Sequence, residues 1–191
     1  YQRKDHNDSQ LRFISTGRLM ASKNILTAIR ALAMIPQDVD YKYTIVGSGP
    51  QKKLIENEAK KLGIYNKIEM IAEMPRSEVL KKLEESDVYL FPSLREGGSW
   101  ALMEAMVIGL PVICLDWAGM KIIVDNKCAF LLPVTSPEQM PIDMAEAIKK
   151  IIGDRSLIQT MGAAGRKRIK TEYNWDTKGE YMESVLKELD R

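Results

Sequence analysis

One feature limits the fold more than any other: from Leu11 onward, short β-branched runs and longer, helically spaced stretches alternate with brief links. Leu11-Arg-Phe-Ile-Ser-Thr16 reads as a strand. Over residues 23–35, Ile25, Leu26, Ile29, Leu32 and Ala33 recur at helical spacing, and Pro36 stops the helix. Tyr41-Lys-Tyr-Thr-Ile-Val46 is a second strand; Gly47-Ser-Gly-Pro50 turns the chain into a Lys-rich amphipathic helix over 51–62 that Gly63 ends. Further strands are predicted over 67–72, 87–92 and 111–115, and a helix over 77–85 with Ser77 as its N-cap. Another helix lies between the last two strands, capped by Ser99 and ended by Gly109. The last third is helical over 137–152, 155–171 and 176–189, with a break at Asn174-Trp175.

Strands and helices in strict alternation bury both faces of a parallel sheet. The near-continuous apolar strands fit a sheet covered on both sides. The expected fold class is therefore α/β: a Rossmann-like, doubly wound parallel sheet with extra C-terminal helices. A chain of 191 residues, 45% of them hydrophobic, is long enough to bury such a core. The expected parts are a polar linker or disordered start over 1–10, the Rossmann-like domain over 11–173, and a C-terminal helix over 174–191. Ligands of such sheets sit at the carboxyl ends of the strands. That singles out the loops after Thr16, Val46, Ala72, Pro92 and Leu115.

Composition removes several function classes. No apolar run reaches the roughly 18 residues of a transmembrane helix. The polar leader is not a signal peptide, and the missing initiator Met marks a processed chain or a piece of something longer. Cys114 and Cys128 are the only cysteines, which points to a reducing, cytoplasmic setting. His6 is the only histidine, so neither a zinc ligand set nor a histidine-based nucleophilic mechanism can be assembled. Arg166, Lys167, Arg168 and Lys170 suggest a nucleic-acid or membrane surface, but with a net charge of only +2 they read as a solvated helix face.

The strand-end loops carry the remaining chemistry. Arg18 and Lys23 follow the first strand and open a helix, whose amino terminus already favours an anion. A forked guanidinium beside an ammonium makes a diphosphate cradle; two solvated surface cations fit the same spacing. Gly47-Ser48-Gly49-Pro50 lacks the third glycine of a dinucleotide fingerprint and reads as a tight turn. After the fourth strand come Glu96, Gly97, Gly98, Ser99 and Trp100, then Glu104 inside the helix. The glycines let a ligand approach the backbone, and the amides of residues 98–101 leave the helix start as free donors. Glu104 is flanked by Leu102, Met103, Ala105 and Met106, where a carboxylate is costly unless it finds a partner. A capping acid and a solvated helix acid remain the alternative reading of the pair.

As an ordered set these loops resemble the carboxyl-terminal domain of the retaining glycosyltransferases of family 4, the glycosyl transferase group 1 domain. Gly17-Arg18-Leu19 with Lys23 is similar to its "GRL…K" clamp, and Ile45-Val-Gly-Ser-Gly-Pro50 to its "IVGxGP" strand end. Pro92-Ser93, Glu96-Gly97 and Glu104-Ala105-Met106 are similar to "PSxxEG…EAM", and Gly109-Leu-Pro-Val112 to "GxPV". Asn24 stands for a usual glycine, and Gly98-Ser99-Trp100 for the commoner "FGL". The resemblance implies one half of a two-domain GT-B enzyme that binds a nucleoside-diphosphate sugar, with the acceptor domain outside this chain. Arg18 and Lys23 would bind the diphosphate and stabilise the leaving nucleotide; Glu96 would hold sugar hydroxyls, and Glu104 the ribose. Gly98, Ser99 and Trp100 would approach sugar and phosphate through backbone. Gly47 and the stretch from Ala72 to Met74 would line the rest of the donor site. No cofactor or metal is expected, because the two cations and the helix end neutralise the diphosphate. Polysaccharide or glycoconjugate biosynthesis would be the setting, with peripheral membrane contact of the full enzyme for a lipid-linked acceptor and no nucleic-acid partner. The final helix would pack on the absent domain, and the chain alone would transfer nothing. A nucleotide-sugar epimerase and a non-catalytic nucleotide-binding module are the alternatives. The first needs acid–base groups that a body without histidine lacks. Intact Arg18, Lys23, Glu96 and Glu104 argue against the second.

Overall fold

The computed structural model describes residues 1–6 and 8–189. Six strands form one sheet: β1 (Leu11–Thr16), β2 (Tyr41–Val46), β3 (Ile68–Ile71), β4 (Val88–Phe91), β5 (Val112–Leu115) and β6 (Ala129–Leu132). Every neighbouring pair is parallel, in the order β3-β2-β1-β4-β5-β6. This is the Rossmann-like sheet expected from the alternation, with its topological switch between β1 and β4. Between the strands run α1 (Ile25–Leu32), α2 (Lys52–Lys61), α3 (Arg76–Glu84), α4 (Trp100–Ile108) and the short α5 (Met120–Ile123). After β6 come α6 (Gln139–Gly153), α7 (Ser156–Glu172) and α8 (Trp175–Leu189).

The period-2 alternation of each strand divides its side chains between two cores. Phe13, Tyr43, Ile45, Val88, Leu90, Ile113 and Leu115 face α1, α2 and α6. Ile14, Val46, Tyr89, Phe91, Val112 and Cys114 face α3, α4 and the end of α7. Both sides are therefore dry, as a parallel sheet requires.

Several local expectations change. The helix expected over 23–35 is shorter, because Ala21–Lys23 forms a 3-10 turn and Asn24 adopts a left-handed conformation (φ 52°, ψ 35°). Asn tolerates that region better than most non-glycine residues, which suits Asn24 to this turn. Ser77 is no N-cap: α3 starts at Arg76, after Pro75, whose fixed φ and missing N–H suit a helix start. The strand β6 lies outside the strands predicted from the sequence; its pairing with β5 defines it. Asn174 is a cap rather than a simple break, its Oδ1 accepting from the amide of Thr177 at 2.7 Å. The polar leader is hydrogen-bonded onto the domain: Arg3 donates to Ile108 O at 2.9 Å and Lys4 to Glu84 O at 2.8 Å through their amides. Arg168 is no solvated cation, since it donates to the carbonyls of Ile122 and Ile123 at 2.9 Å each and ties α7 to α5.

Candidate functional site

The switch point opens a crevice between the loops after β1 and β4, lined by Ser15, Thr16, Gly17, Arg18, Lys23, Phe91, Pro92 and Ser93. Its floor is polar yet satisfied. The Ser15 hydroxyl lies 2.7 Å from that of Tyr43 and donates to Leu90 O at 2.5 Å; the hydroxyls of Thr16 and Tyr89 are 2.8 Å apart. Burial raises the pKa of both phenols far above the usual tyrosine value, so they stay neutral and serve the crevice as rigid hydrogen-bonding struts.

The β1 loop is held by backbone. Leu19 donates to Ser48 O at 2.8 Å and accepts from Gln51 N at 3.0 Å, while Gly17 donates to Val46 O at 2.9 Å. This lacing needs glycine beneath it. A Cβ on Gly47 would sit 2.0 Å from Gly17 O, and one on Gly49 2.5 Å from Leu19 O. Gly47 thus supports the Arg18 loop, a role beyond the tight turn that the sequence suggested. Arg18 is exposed; its carbonyl accepts from the Met20 amide at 2.9 Å, while its guanidinium has no hydrogen-bond or ion-pair partner among the described residues.

Lys23 ends the 3-10 turn and pairs with Glu96 across the crevice. Glu96 is 10% exposed and also accepts from Ser93 Oγ at 2.8 Å, on the oxygen that meets Lys23. Ser99 caps α4, its Oγ accepting from Leu102 N at 3.4 Å, and Gly109 ends the helix in a left-handed conformation. The amides of Trp100 and Ala101, in the first turn of α4, have no partner among the described residues. Gly98 is open, and Trp100 is 71% exposed although tryptophan is usually covered. Glu104 has the partner its apolar helix demands: Arg76 Nε, at the start of α3, lies 2.7 Å away. Met74 packs its side chain against the core on this face, leaving backbone to line the edge.

The structure thus brings Arg18, Lys23, Glu96, Gly98, Ser99, Trp100 and Glu104 to the carboxyl-end side of the sheet, with Gly47 against the Arg18 loop and Met74 packed on the core. Sequence reasoning missed Ser15, Tyr43, Tyr89, Ser93 and Arg76. Ser93 was within its reach as the hydroxyl three residues before Glu96; Arg76 was not, being 28 residues from its partner. Reading the site as metal-free also overlooked the Asp-x-Asp triplet Asp38-Val39-Asp40. It precedes β2, where Asp40 O accepts from Leu11 N at 3.0 Å, so it stands at the amino ends of the strands, opposite the end that carries the site.

The model of the family described as "Glycosyl transferases group 1" matches residues 2–168. The chain belongs to the glycosyl transferase group 1 family. Among relatives in that family it is 28% identical over 187 residues to the putative colanic acid biosynthesis glycosyltransferase WcaL of Salmonella typhimurium, covering 94% of this chain and 45% of that protein. It is 25% identical over 193 residues to the amylovoran biosynthesis glycosyltransferase AmsK of Erwinia amylovora, covering 97% and 47%. The chain therefore spans about half the length of the curated relatives it matches. Its backbone is also similar to the pneumococcal O-GlcNAc transferase GtfA, solved with UDP and GlcNAc, with a TM-score of 0.80 at 22% identity over 100% of this chain and 37% of that one. That likeness shows a shared fold over 37% of the length of that protein.

Proposed function

We propose that this chain is the donor-binding half of a retaining glycosyltransferase that moves a sugar from a nucleoside-diphosphate sugar to a glycan or lipid-linked acceptor. The observation that carries this reading is the convergence at the switch point of a free Arg18, the Lys23–Glu96 pair and the open start of α4. Arg18 and Lys23 meet the diphosphate and stabilise the departing nucleotide. Free amides at the α4 start add partial positive charge at the same place, so the phosphate charge is met without a metal. Glu96 orients the sugar through its hydroxyls. Glu104, aimed by Arg76, accepts from the ribose. The relatives WcaL and AmsK, named for colanic acid and amylovoran biosynthesis, support a polysaccharide setting.

The acceptor side falls to a domain beyond this chain, in line with the half-length coverage of its relatives. The exposed Trp175, Tyr181, Met182 and Leu186 of α8 offer that domain an apolar face. No helix among the described residues is long and apolar enough to cross a membrane. A cytoplasmic enzyme touching the membrane peripherally, when its acceptor is lipid-linked, fits this reading.

Calorimetric titration with UDP, GDP and ADP tests it. One nucleotide should bind selectively, and Glu104→Ala should weaken it about ten- to a hundredfold, since a hydrogen bond to a charged group is worth about 1.5–3 kcal/mol. Absence of binding by all three at millimolar concentration refutes the donor-site reading. Sugar transfer by this chain alone refutes the assignment of the acceptor side elsewhere.

A further inference from the structure

The crevice does not present its charges equally. Arg18 is exposed and unpaired among the described residues, whereas the ammonium of Lys23 is committed to Glu96. Glu96 is the more enclosed partner, 10% exposed against 26% for Lys23. It is also fixed independently: Ser93, 3% exposed, donates to the same carboxylate oxygen at 2.8 Å. Ser93 Oγ is 3.3 Å from Ser22 O as well, but one hydroxyl hydrogen serves one acceptor, and the shorter contact is to Glu96. Beyond Glu96, the Lys23 ammonium has only a distant aromatic neighbour among the described residues, the Phe91 ring centroid at 5.9 Å. When the pair parts, Lys23 is the member free to move.

On the donor-site reading the two residues serve different parts of one ligand, Lys23 the diphosphate and Glu96 the sugar. Within the chain each serves the other. We propose that the Lys23–Glu96 pair is a latch opened by a diphosphate: Lys23 passes its charge from Glu96 to phosphate, and Glu96, still held by Ser93, is left to accept from sugar hydroxyls. Phosphate and carboxylate thus compete for one cation. The sugar offsets that competition by giving the released carboxylate new donors. A bare nucleoside diphosphate opens the latch without that return, so the site favours the sugar-bearing donor over the spent nucleotide.

This inference rests on the donor-site reading and alters one of its simplest consequences. If Glu96 met only the sugar, removing it would leave nucleotide affinity unchanged. The latch instead makes Glu96 a competitor of the nucleotide. The test is calorimetry on the 191-residue chain with UDP, GDP and ADP, using wild type, Glu96→Gln, Lys23→Ala and the double variant. Gln keeps the shape and the oxygen that accepts from Ser93, and a matched melting temperature verifies the fold of each variant. Glu96→Gln should bind the preferred nucleoside diphosphate about three- to tenfold more tightly, the scale of no longer having to break one partly exposed ion pair. In the Lys23→Ala background the same substitution should have no effect, which assigns the gain to the pair. Unchanged or weaker binding by Glu96→Gln overturns the latch while leaving the donor site standing. An equal gain without Lys23 overturns it too. If neither wild type nor any variant binds a nucleotide, the donor-site reading falls and the latch with it.

Discussion

The Arg18 loop owes its position to a glycine it does not contain, and Gly47→Ala tests this directly. Gly47 has φ +149° and an ideal Cβ there would lie 2.0 Å from Gly17 O, a backbone atom. Real Cβ contacts stay beyond 3.0 Å, so the Gly17 carbonyl must retreat by about 1 Å. Holding an alanine in this unfavourable region costs about 1–3 kcal/mol. Forcing apart closely packed backbone costs about 1–3 kcal/mol more. The sum, about 2–6 kcal/mol, is a large part of the roughly 5–15 kcal/mol that stabilises a typical domain. At about 2–4 °C per kcal/mol for a chain of this size, the melting temperature should fall by roughly 5–20 °C. Because Gly17 and Leu19 are laced to Val46 and Ser48, the displaced carbonyl carries Arg18 with it, and nucleoside-diphosphate affinity should fall in the protein that remains folded. Gly98→Ala is the matched control: no heavy atom lies within 4 Å of its Cβ position and its backbone is ordinary. It should leave the melting curve unchanged and weaken only ligand binding. A Gly47→Ala protein that melts within 1 or 2 °C of wild type, on the roughly 2–4 °C per kcal/mol scale, would refute the reasoning.

Three further outcomes follow from the same structure. Ser99→Ala removes the α4 cap and should cost about 1 kcal/mol in urea unfolding, whereas Ser99→Asp should retain most of that stability. Arg168→Ala frees the carbonyls of Ile122 and Ile123 and should destabilise the chain by about 1–3 kcal/mol; a loss under about 0.5 kcal/mol would mean that a solvated cation had been removed. Burial pushes the Cys114 thiol up from 9.0 to about 12, and Cys128 is also raised by burial. Neither should react with iodoacetamide at pH 8 until denaturant is added. Because the folded state favours the neutral thiol, this contribution to stability is complete below pH 9 and is lost as pH rises toward 12.

Sequence and structure agree most where a signal is local. Strands β1 and β2 coincide with their β-branched runs, and α4 begins after Ser99 and ends at Gly109 as its capping residues dictate. They part where a neighbour distant in sequence decides. Lys23 reads as the start of a helix, but the left-handed Asn24 leaves it at the end of a 3-10 turn, pointing across the crevice. β6 is defined by the ladder with β5, a neighbour 14 or more residues away along the chain.

By itself, then, the sequence determined the kind of fold and the end of the sheet that carries the chemistry. Hydrophobic period, caps and glycines are properties of a few consecutive residues, and a parallel sheet places every strand end on one side. It also showed that Glu104 needs a partner, because an unpaired carboxylate among Leu102, Met103, Ala105 and Met106 is too costly. Only the tertiary structure named that partner as Arg76, set Gly47 under Gly17, and joined Lys23 to Glu96. Those contacts span 28, 30 and 73 residues of chain. Spacing along a sequence carries no distance across such separations; the sheet order and the packing of its loops supply it.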